Sequence, residues 1–444
     1  MEWPPPTRLE PTSPLPDLSP DNTVFVAIAF EGPDPYAQAG GLGVRMTGLT
    51  QALADRGFPV HFFFVGDPQR DGVQTEGRLT LYRWGQWISQ YHAAGVYAGE
   101  FEKKADLDVS MPPFVVEHIA RPAIRAGKRV VVLAEEWHTA DVAMALSDLL
   151  HREGLRQKCA ILWNANHRMG LDRINFARLG FVSTITTVSR FMRQIVEPYG
   201  ANPVVIPNGI GDEWLAPVPR APVDRLRRRL RRPLLVKIGR FDPDKRWIMA
   251  IEALAGLKGA QQHPLLLMRG GLEPHGGAVI QRAYELGLTV QEVHLAGTPD
   301  LGAVLRSLEA EALAADIIHL RMFLPRAVLP VLYRAADAVL VNSGFEPFGL
   351  VGLEVMASGG LAITGGTGED YARSFVNGLG LDGDDPRQLA QLIRYACNHR
   401  PLRQAMVREG MRTARSYRWA GVIDQLLGHV ALAFERQTSA ERPG

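Results

Sequence analysis

The segment Asn342-Ser343-Gly344-Phe345-Glu346-Pro347-Phe348-Gly349-Leu350-Val351-Gly352-Leu353-Glu354 follows an apolar run that ends near Val341. It reads as a strand, a loop carrying Glu346, and a helix that starts near Gly349 and presents Glu354 about one turn in. Two carboxylates in one place suit pairs of sugar hydroxyls, each charge-assisted hydrogen bond being worth about 1.5–3 kcal/mol. The free backbone N–H groups of Phe348, Gly349 and Leu350 at the helix start suit phosphate oxygens. Hydroxyls at both ends of a diphosphate describe a nucleotide sugar.

A second segment, Val236-Lys237-Ile238-Gly239-Arg240-Phe241-Asp242-Pro243-Asp244-Lys245, supplies cations. Gly239 lets a ligand approach the backbone. Asp242 as N-cap and Pro243 as first helical residue put Lys245 in a first helical turn, where a cation opposes the helix dipole. An anion between Arg240 and Lys245 resolves that conflict, and a diphosphate fits. The alternative is that Lys245 pairs with Asp242 or Asp244.

In the first half of the chain, Ala134-Glu135-Glu136-Trp137-His138-Thr139-Ala140 and Trp163-Asn164-Ala165-Asn166-His167 each end an apolar run. His138 and His167 each lie past such a run, and for His138 a helix-capping role is one reading. Glu135 and Glu136 are placed to read acceptor hydroxyls. The aromatics Tyr82, Trp84, Trp87, Tyr91 and Tyr97 either stack on sugars or pack within their own domain.

These residues need strands to position them. Short apolar runs alternate with longer amphipathic ones, the pattern of βαβ units and a parallel sheet. Runs at 23–30, 59–65, 129–134, 160–165, 183–188 and 204–206 form one series. Runs at 234–238, 265–268, 293–296, 338–341 and 361–364 form another. The expected organisation is a disordered proline-rich tail at 1–22, a first Rossmann-like domain at 23–214 and a linker at 215–232. A second domain follows at 233–414, and a C-terminal helix at 415–444 packs back on the first. Ligands of open parallel sheets sit beyond the carboxyl ends of the strands, so two such edges can hold one ligand between them.

The glutamate segment resembles the Glu-x7-Glu motif of retaining GT-B glycosyltransferases, and EPFGLVGLEVMASGG is similar to glycosyltransferase family 4. Gly239, Arg240 and Lys245 match that family's phosphate motif, Pro207-Asn208-Gly209 its PNG turn, and Gly40-Gly41-Leu42-Gly43 its N-terminal glycine loop. WHTA at Trp137–Ala140 is similar to glycogen and starch synthases, but Gln38-Ala39 stand where those have a lysine before the glycine loop. The resemblance implies an α/β protein of the GT-B fold, two Rossmann-like domains facing a central cleft. It implies that Glu346 contacts the transferred sugar and Glu354 the ribose, and that Arg240 and Lys245 neutralise the departing diphosphate. It also implies that a histidine orients the donor sugar, His138 ranking first and His167 second. Gly41 and Gly239 would line the donor.

The implied reaction moves a hexose, glucose or a relative, from a nucleoside-diphosphate sugar to a hydroxyl on a sugar, glucan, polyol or lipid-linked acceptor, with no metal and no other cofactor. Asp382-Gly383-Asp384-Asp385, before Pro386, reads as a turn and helix cap. A GT-B phosphorylase, a nucleotide-sugar hydrolase and a non-catalytic nucleotide-sugar sensor or scaffold are the competing readings. Gly40, Gly41 and Gly43 lack the GxGxxG spacing of a dehydrogenase.

Composition narrows the setting. A net charge of +2 over 444 residues argues against a nucleic-acid binder. The arginine-rich stretch Arg225–Arg232 reads as a solvated helix face, with peripheral membrane contact as the alternative. Cys159 and Cys397, far apart, fit two reduced thiols. No apolar run approaches the roughly 20 residues of a membrane span, and the start lacks signal-peptide order. The expected location is the cytoplasm.

Overall fold

The computed structural model describes residues 15–230, 232–297, 299–311 and 315–439. Most of the proline-rich tail (1–14), Arg231 and the last five residues lie outside the described residues.

The first sheet contains β1 (Thr23–Ile28), β2 (Val60–Val65), β3 (Val73–Glu76), β4 (Leu79–Trp84), β5 (Arg129–Glu135), β6 (Cys159–Ala165), β7 (Thr184–Thr187) and β8 (Val204–Val205). Their order is β3-β4-β2-β1-β5-β6-β7-β8, parallel throughout except for β3 against β4. The second sheet contains β9 (Leu234–Ile238), β10 (Leu265–Arg269), β11 (Val290–Val293), β12 (Ile317–Leu320), β13 (Ala338–Val341), β14 (Ala362–Thr364) and β15 (Leu379–Gly380). It is ordered β11-β12-β10-β9-β13-β14-β15 and is parallel. Every residue of β1 and β6 is buried, as expected of central strands covered by helices on both faces.

Chain direction across each sheet reverses at one place, between β1 and β5 in the first and between β9 and β13 in the second. A crevice opens at such a switch point. Glu31, Glu135 and Glu136 follow β1 or end β5; Gly239–Lys245 and Asn342–Glu346 follow β9 and β13. The topology therefore gathers the chemistry-bearing residues at the two crevices.

Several elements differ from the pattern read in the sequence. The aromatic stretch after Arg78 contains β4 and, further on, the helix Glu100–Val115. Tyr82 and Trp84 pack inside the domain, Tyr82 stacking on Phe63 at 4.3 Å and Trp84 meeting Phe114 edge-on at 5.1 Å. β11 lies at Val290–Val293 rather than 293–296, and β12 is an added strand between β10 and β11. As expected, residues 225–230 of the arginine-rich stretch lie on a helix, Arg220–Leu230, which buries Val223, Leu226 and Leu230 and keeps Arg225, Arg228 and Arg229 exposed. Arg227 in it donates to the carbonyls of Arg334 and Ala335, so this segment is docked on the second domain.

The chain crosses between domains side by side. Ile210 bridges to Arg418, and Arg418 donates to Asp212 at 2.7 Å. The final helix, Trp419–Ser439, then lies on the first domain, where Val422, Ile423, Leu426 and Val430 join Phe25, Leu49 and Phe62 in one core. Each such side chain contributes about 1.5–3 kcal/mol on burial. Among the described residues, no helix is long and apolar enough to cross a membrane.

Trp419 packs onto the backbone at Gly209, where an added Cβ would strike its indole ring. Gly209→Ala is therefore expected to lower stability by about 1–3 kcal/mol. Urea unfolding monitored by circular dichroism checks this; an unchanged midpoint would mean that the C-terminal helix is not seated as described.

Candidate active site

Behind the second edge, β9 ends and Gly239 donates its N–H to Arg269 O at 3.1 Å. A Cβ added at Gly239 would meet nothing within 4 Å, so its backbone faces open space. Asp242 does act as a cap, accepting from Asp244 N at 2.9 Å. What it caps is a 3-10 turn, Pro243–Lys245, and Arg246 at φ 47° separates this turn from the helix Trp247–Gly259. Lys245 thus ends the turn ahead of the helix instead of lying in the helix's first turn. The cause is a cross-link: Asp244 O accepts from Gly344 N at 2.7 Å, holding the turn to the loop after β13.

That cross-link brings Lys245 Nζ to 2.5 Å from Glu346 Oε2. Arg240 is 62% exposed and free to swing towards an anion, its nearest acid being Asp242 at 3.9 Å. Below the pair lies Lys237, which sequence reasoning passed over. It is buried over the Trp247 ring and donates to Asn342 Oδ1 at 2.6 Å. Burial, then the neighbouring Lys245, hold its ammonium well below the ordinary lysine range.

The loop after β13 depends on Gly349, at φ 80°. A Cβ there would lie 2.7 Å from Glu369 Cγ and 3.1 Å from Glu346 Cγ. The helix Leu350–Ala357 starts next, with Leu350 as its first residue. Phe348 is a core anchor against Tyr371 and Tyr417, which leaves its backbone as the only part able to meet a ligand. Burial pushes the Glu354 carboxyl up to about 8, Arg326 opposing and Glu213 adding. Glu369, also missed in the sequence, is pushed up to about 7 by burial and then by Glu346. Thr367 ties these together: its hydroxyl accepts from Glu346 N at 3.1 Å, and its own N–H donates to Glu369 at 2.9 Å.

On the first edge, Gly41 opens the helix Gly41–Asp55 and is exposed, with space for a Cβ. The mouth of that helix is taken by Glu31. Arg45 from the same helix lies buried against Glu135 at 3.2 Å and also donates to Asn208 of the PNG turn. Glu136, at φ 69°, accepts from Asn166 N at 2.7 Å. Burial leads in pushing Glu136 up to about 8, with Glu135 and Glu31 adding.

The two histidines part company. His138 is 3% exposed, stacks on Phe30 at 4.1 Å, and its Nε2 lies 2.7 Å from Glu100 Oε1. Burial holds it down to about 4. His167 meets Phe345 at 5.1 Å, and its pKa is lowered by burial and then Arg168, with Asp244 and Glu346 opposing. The second-ranked histidine, not the first, therefore faces the Glu346 loop; His138 is spent on Glu100. Across the crevice, Arg168 lies over the Phe345 ring at 4.4 Å and 3.9 Å from Asp244. Ser189 Oγ donates to Pro347 O at 2.5 Å, and Arg190 N donates to Asp370 at 2.7 Å. The two carboxyl edges close on one another. Asp385 caps the helix after it and Asp384 pairs with Arg246.

Residues 223–413 match the family Glycosyl transferases group 1, and residues 39–214 match Glycosyltransferase Family 4. The chain is 31% identical over 437 residues to D-inositol 3-phosphate glycosyltransferase of Geodermatophilus obscurus, covering 91% of this chain and 87% of that one. The chain belongs to glycosyltransferase family 4. A second family 4 relative of the same name, from Acidothermus cellulolyticus, is 28% identical over 90% of this chain and 88% of its own. The fold is GT-B. Sucrose-phosphate synthase from Thermosynechococcus elongatus superposes with a TM-score of 0.65 at 19% identity, covering 93% of this chain and all of that one (100%). Trehalose 6-phosphate synthase from Burkholderia multivorans does so with 0.65 at 16% identity, over 96% and 99%. The matched regions of this family 4 transferase contain both glutamates, Arg240 and Lys245 in one, and Gly41 and both histidines in the other.

The raised carboxyls have a consequence for stability. Glu136, Glu354 and Glu369 keep protons in the folded state that the unfolded chain loses above the ordinary value of 4.5, so stability falls as pH rises towards about 8. His138 acts in the opposite sense only below 6.5. Lys237, held well below the ordinary lysine range by burial, acts in the opposite sense wherever it loses its proton in the folded state first. Comparing Glu354→Gln with the parent between pH 6.5 and 8 cancels these other groups. The variant's Tm should fall less steeply with pH, and parallel slopes would show that Glu354 is not held protonated.

Proposed function

We propose that this family 4 transferase moves a hexose, glucose or a relative, from a nucleoside-diphosphate sugar to a hydroxyl of a sugar or cyclitol acceptor, with retention of configuration and without a metal. The observation that carries the reading is the Lys245–Glu346 pair at 2.5 Å at the carboxyl edge of the second sheet, beside the open backbone of Gly239. A diphosphate entering there exchanges with Glu346 for Lys245, and the exposed Arg240 closes on it. Freed, Glu346 accepts hydroxyls of the sugar. Glu354, deep in the helix start, takes the ribose hydroxyl pair. His167, held uncharged near neutral pH, hydrogen-bonds the sugar without competing for the diphosphate.

The bond from C1 to the phosphate oxygen breaks as positive charge builds on the sugar ring and negative charge on the diphosphate. Fixed cations at the leaving group lower that barrier. The acceptor oxygen then bonds to C1 on the same face, and its proton passes to the departing diphosphate. The acceptor class follows the names of the relatives, D-inositol 3-phosphate glycosyltransferase and the sucrose- and trehalose-phosphate synthases. Cys159 and Cys397 are free thiols, in keeping with a cytoplasmic setting.

Calorimetric titration with UDP-, ADP-, GDP- and dTDP-sugars, without added metal, is expected to name one donor. Lys245→Ala should weaken it at least about tenfold, the loss of one charge-assisted hydrogen bond, and Glu354→Ala should weaken it by about 1 kcal/mol, the loss of a neutral one. Proton NMR of the first product should show the donor's anomeric configuration. Unweakened variants, or an inverted product, would contradict the reading.

A further inference from the structure

In the first domain the segment 86–92, which opens with the short helix Gln86–Ser89, faces the helix Glu100–Val115 across an open groove of about 510 Å³. That volume lies within the roughly 300–1,000 Å³ of small-molecule sites. Trp87, Tyr91 and His92 line it from the segment, and Glu102, Ala105 and Asp106 from one face of the helix. Trp87 is 63% exposed and Tyr91 78%. Tyr82 and Trp84, from the same aromatic stretch, pack inside the domain instead.

The groove is built before any ligand arrives. Lys103 donates to Tyr36 Oη at 2.8 Å and Val96 O at 2.9 Å, and Tyr36 donates to His92 O at 2.9 Å, so the chain between segment and helix is tied down. Gly99, at φ 67°, lets the helix start against the His92 ring, which an added Cβ would strike. His92 Nε2 lies 2.8 Å from Glu102 Oε2 across the groove. The same chain reaches the crevice, where Tyr97 donates to Glu31 at 2.7 Å and Glu100 lies 2.7 Å from His138. A preformed surface of this kind gives up little freedom on binding.

Its chemistry selects a class of ligand. The Trp87 indole N–H, the Tyr91 hydroxyl and the Asp106 carboxylate have no partner among the described residues. The lining holds two carboxylates and no lysine or arginine. Phosphates of a nucleic acid or a lipid surface would meet like charge there. A pyranose presents C–H groups on its faces and hydroxyls around its rim. The flat rings cover such a face, and the carboxylates accept from the rim through charge-assisted hydrogen bonds.

We propose that this groove, whose lining shares no residue with the donor site, is a second saccharide site, and that it takes a neutral oligosaccharide stacked on Trp87 and Tyr91 with hydroxyls on Glu102 and Asp106. The full chain carrying 5-fluorotryptophan is titrated by fluorine NMR with maltotetraose, cellotetraose and a mannotetraose, each in the millimolar range. The Trp87 resonance, identified by its absence from Trp87→Phe, should shift with at least one of them. Tyr91→Ala and Asp106→Ala, both at the surface, should each weaken that binding at least about fivefold and leave nucleotide-sugar Kd unchanged. A Trp87 resonance that none of the three moves, or an affinity that neither variant lowers, would overturn the proposal. So would a resonance that moves with protein concentration alone, which marks an interface between copies of this chain. The outcome is independent of the transferase reading: a parent that binds a tetrasaccharide but no nucleotide sugar would sink that reading and leave this one standing.

Discussion

The ion pair between Lys245 and Glu346 joins the loops after β9 and β13, two strands that pair directly in the second sheet. Both side chains are about a quarter exposed, so the pair is partly screened and can open for a competing anion. The structure around it fixes where it forms. Asp244 O holds Gly344 N, Lys237 holds Asn342 from below, and Thr367 holds the backbone of Glu346. Gly349 completes the loop because a side chain at φ 80° would press on Glu369 and Glu346.

Charge is divided between the two edges. The second domain offers Arg240 and Lys245 at its surface over a buried Lys237 held below the ordinary lysine range, with Glu354 and Glu369 pushed up by burial. The first domain offers Glu31, Glu135 and Glu136, with Arg45 paired to Glu135. An anionic leaving group therefore belongs to one edge and a hydroxyl-rich group to the other. Contacts such as Ser189 to Pro347 and Arg190 to Asp370 hold the edges within reach of one ligand.

The two-sheet α/β fold was legible because central parallel strands are buried on both faces and so read as unbroken apolar runs, as in TVFVAI and AILWNA. β12 is hard to read because IIHL is short and follows no turn signal, and β4 because LTLYRW alternates instead of forming an unbroken apolar run. Local rules found Asp242 as a cap but not the left-handed Arg246, which is set by a tertiary contact with the β13 loop. Both histidines carry the same local signal, a histidine past the end of a strand. Only packing separates the one bound to Glu100 from the one facing Phe345. Glu31 and Glu369 are loop carboxylates; the partners of Glu31 come from 8 to 66 residues away, and Glu369 is set apart by its burial beside Glu346.

The central claim is that both edges close on a single nucleotide-sugar donor. Hydrogen–deuterium exchange with and without the saturating donor tests it most directly. The account predicts slowed exchange in two separate stretches, 166–170 after β6 and 343–352 after β13. Protection confined to the second domain, or absent from both, would contradict it.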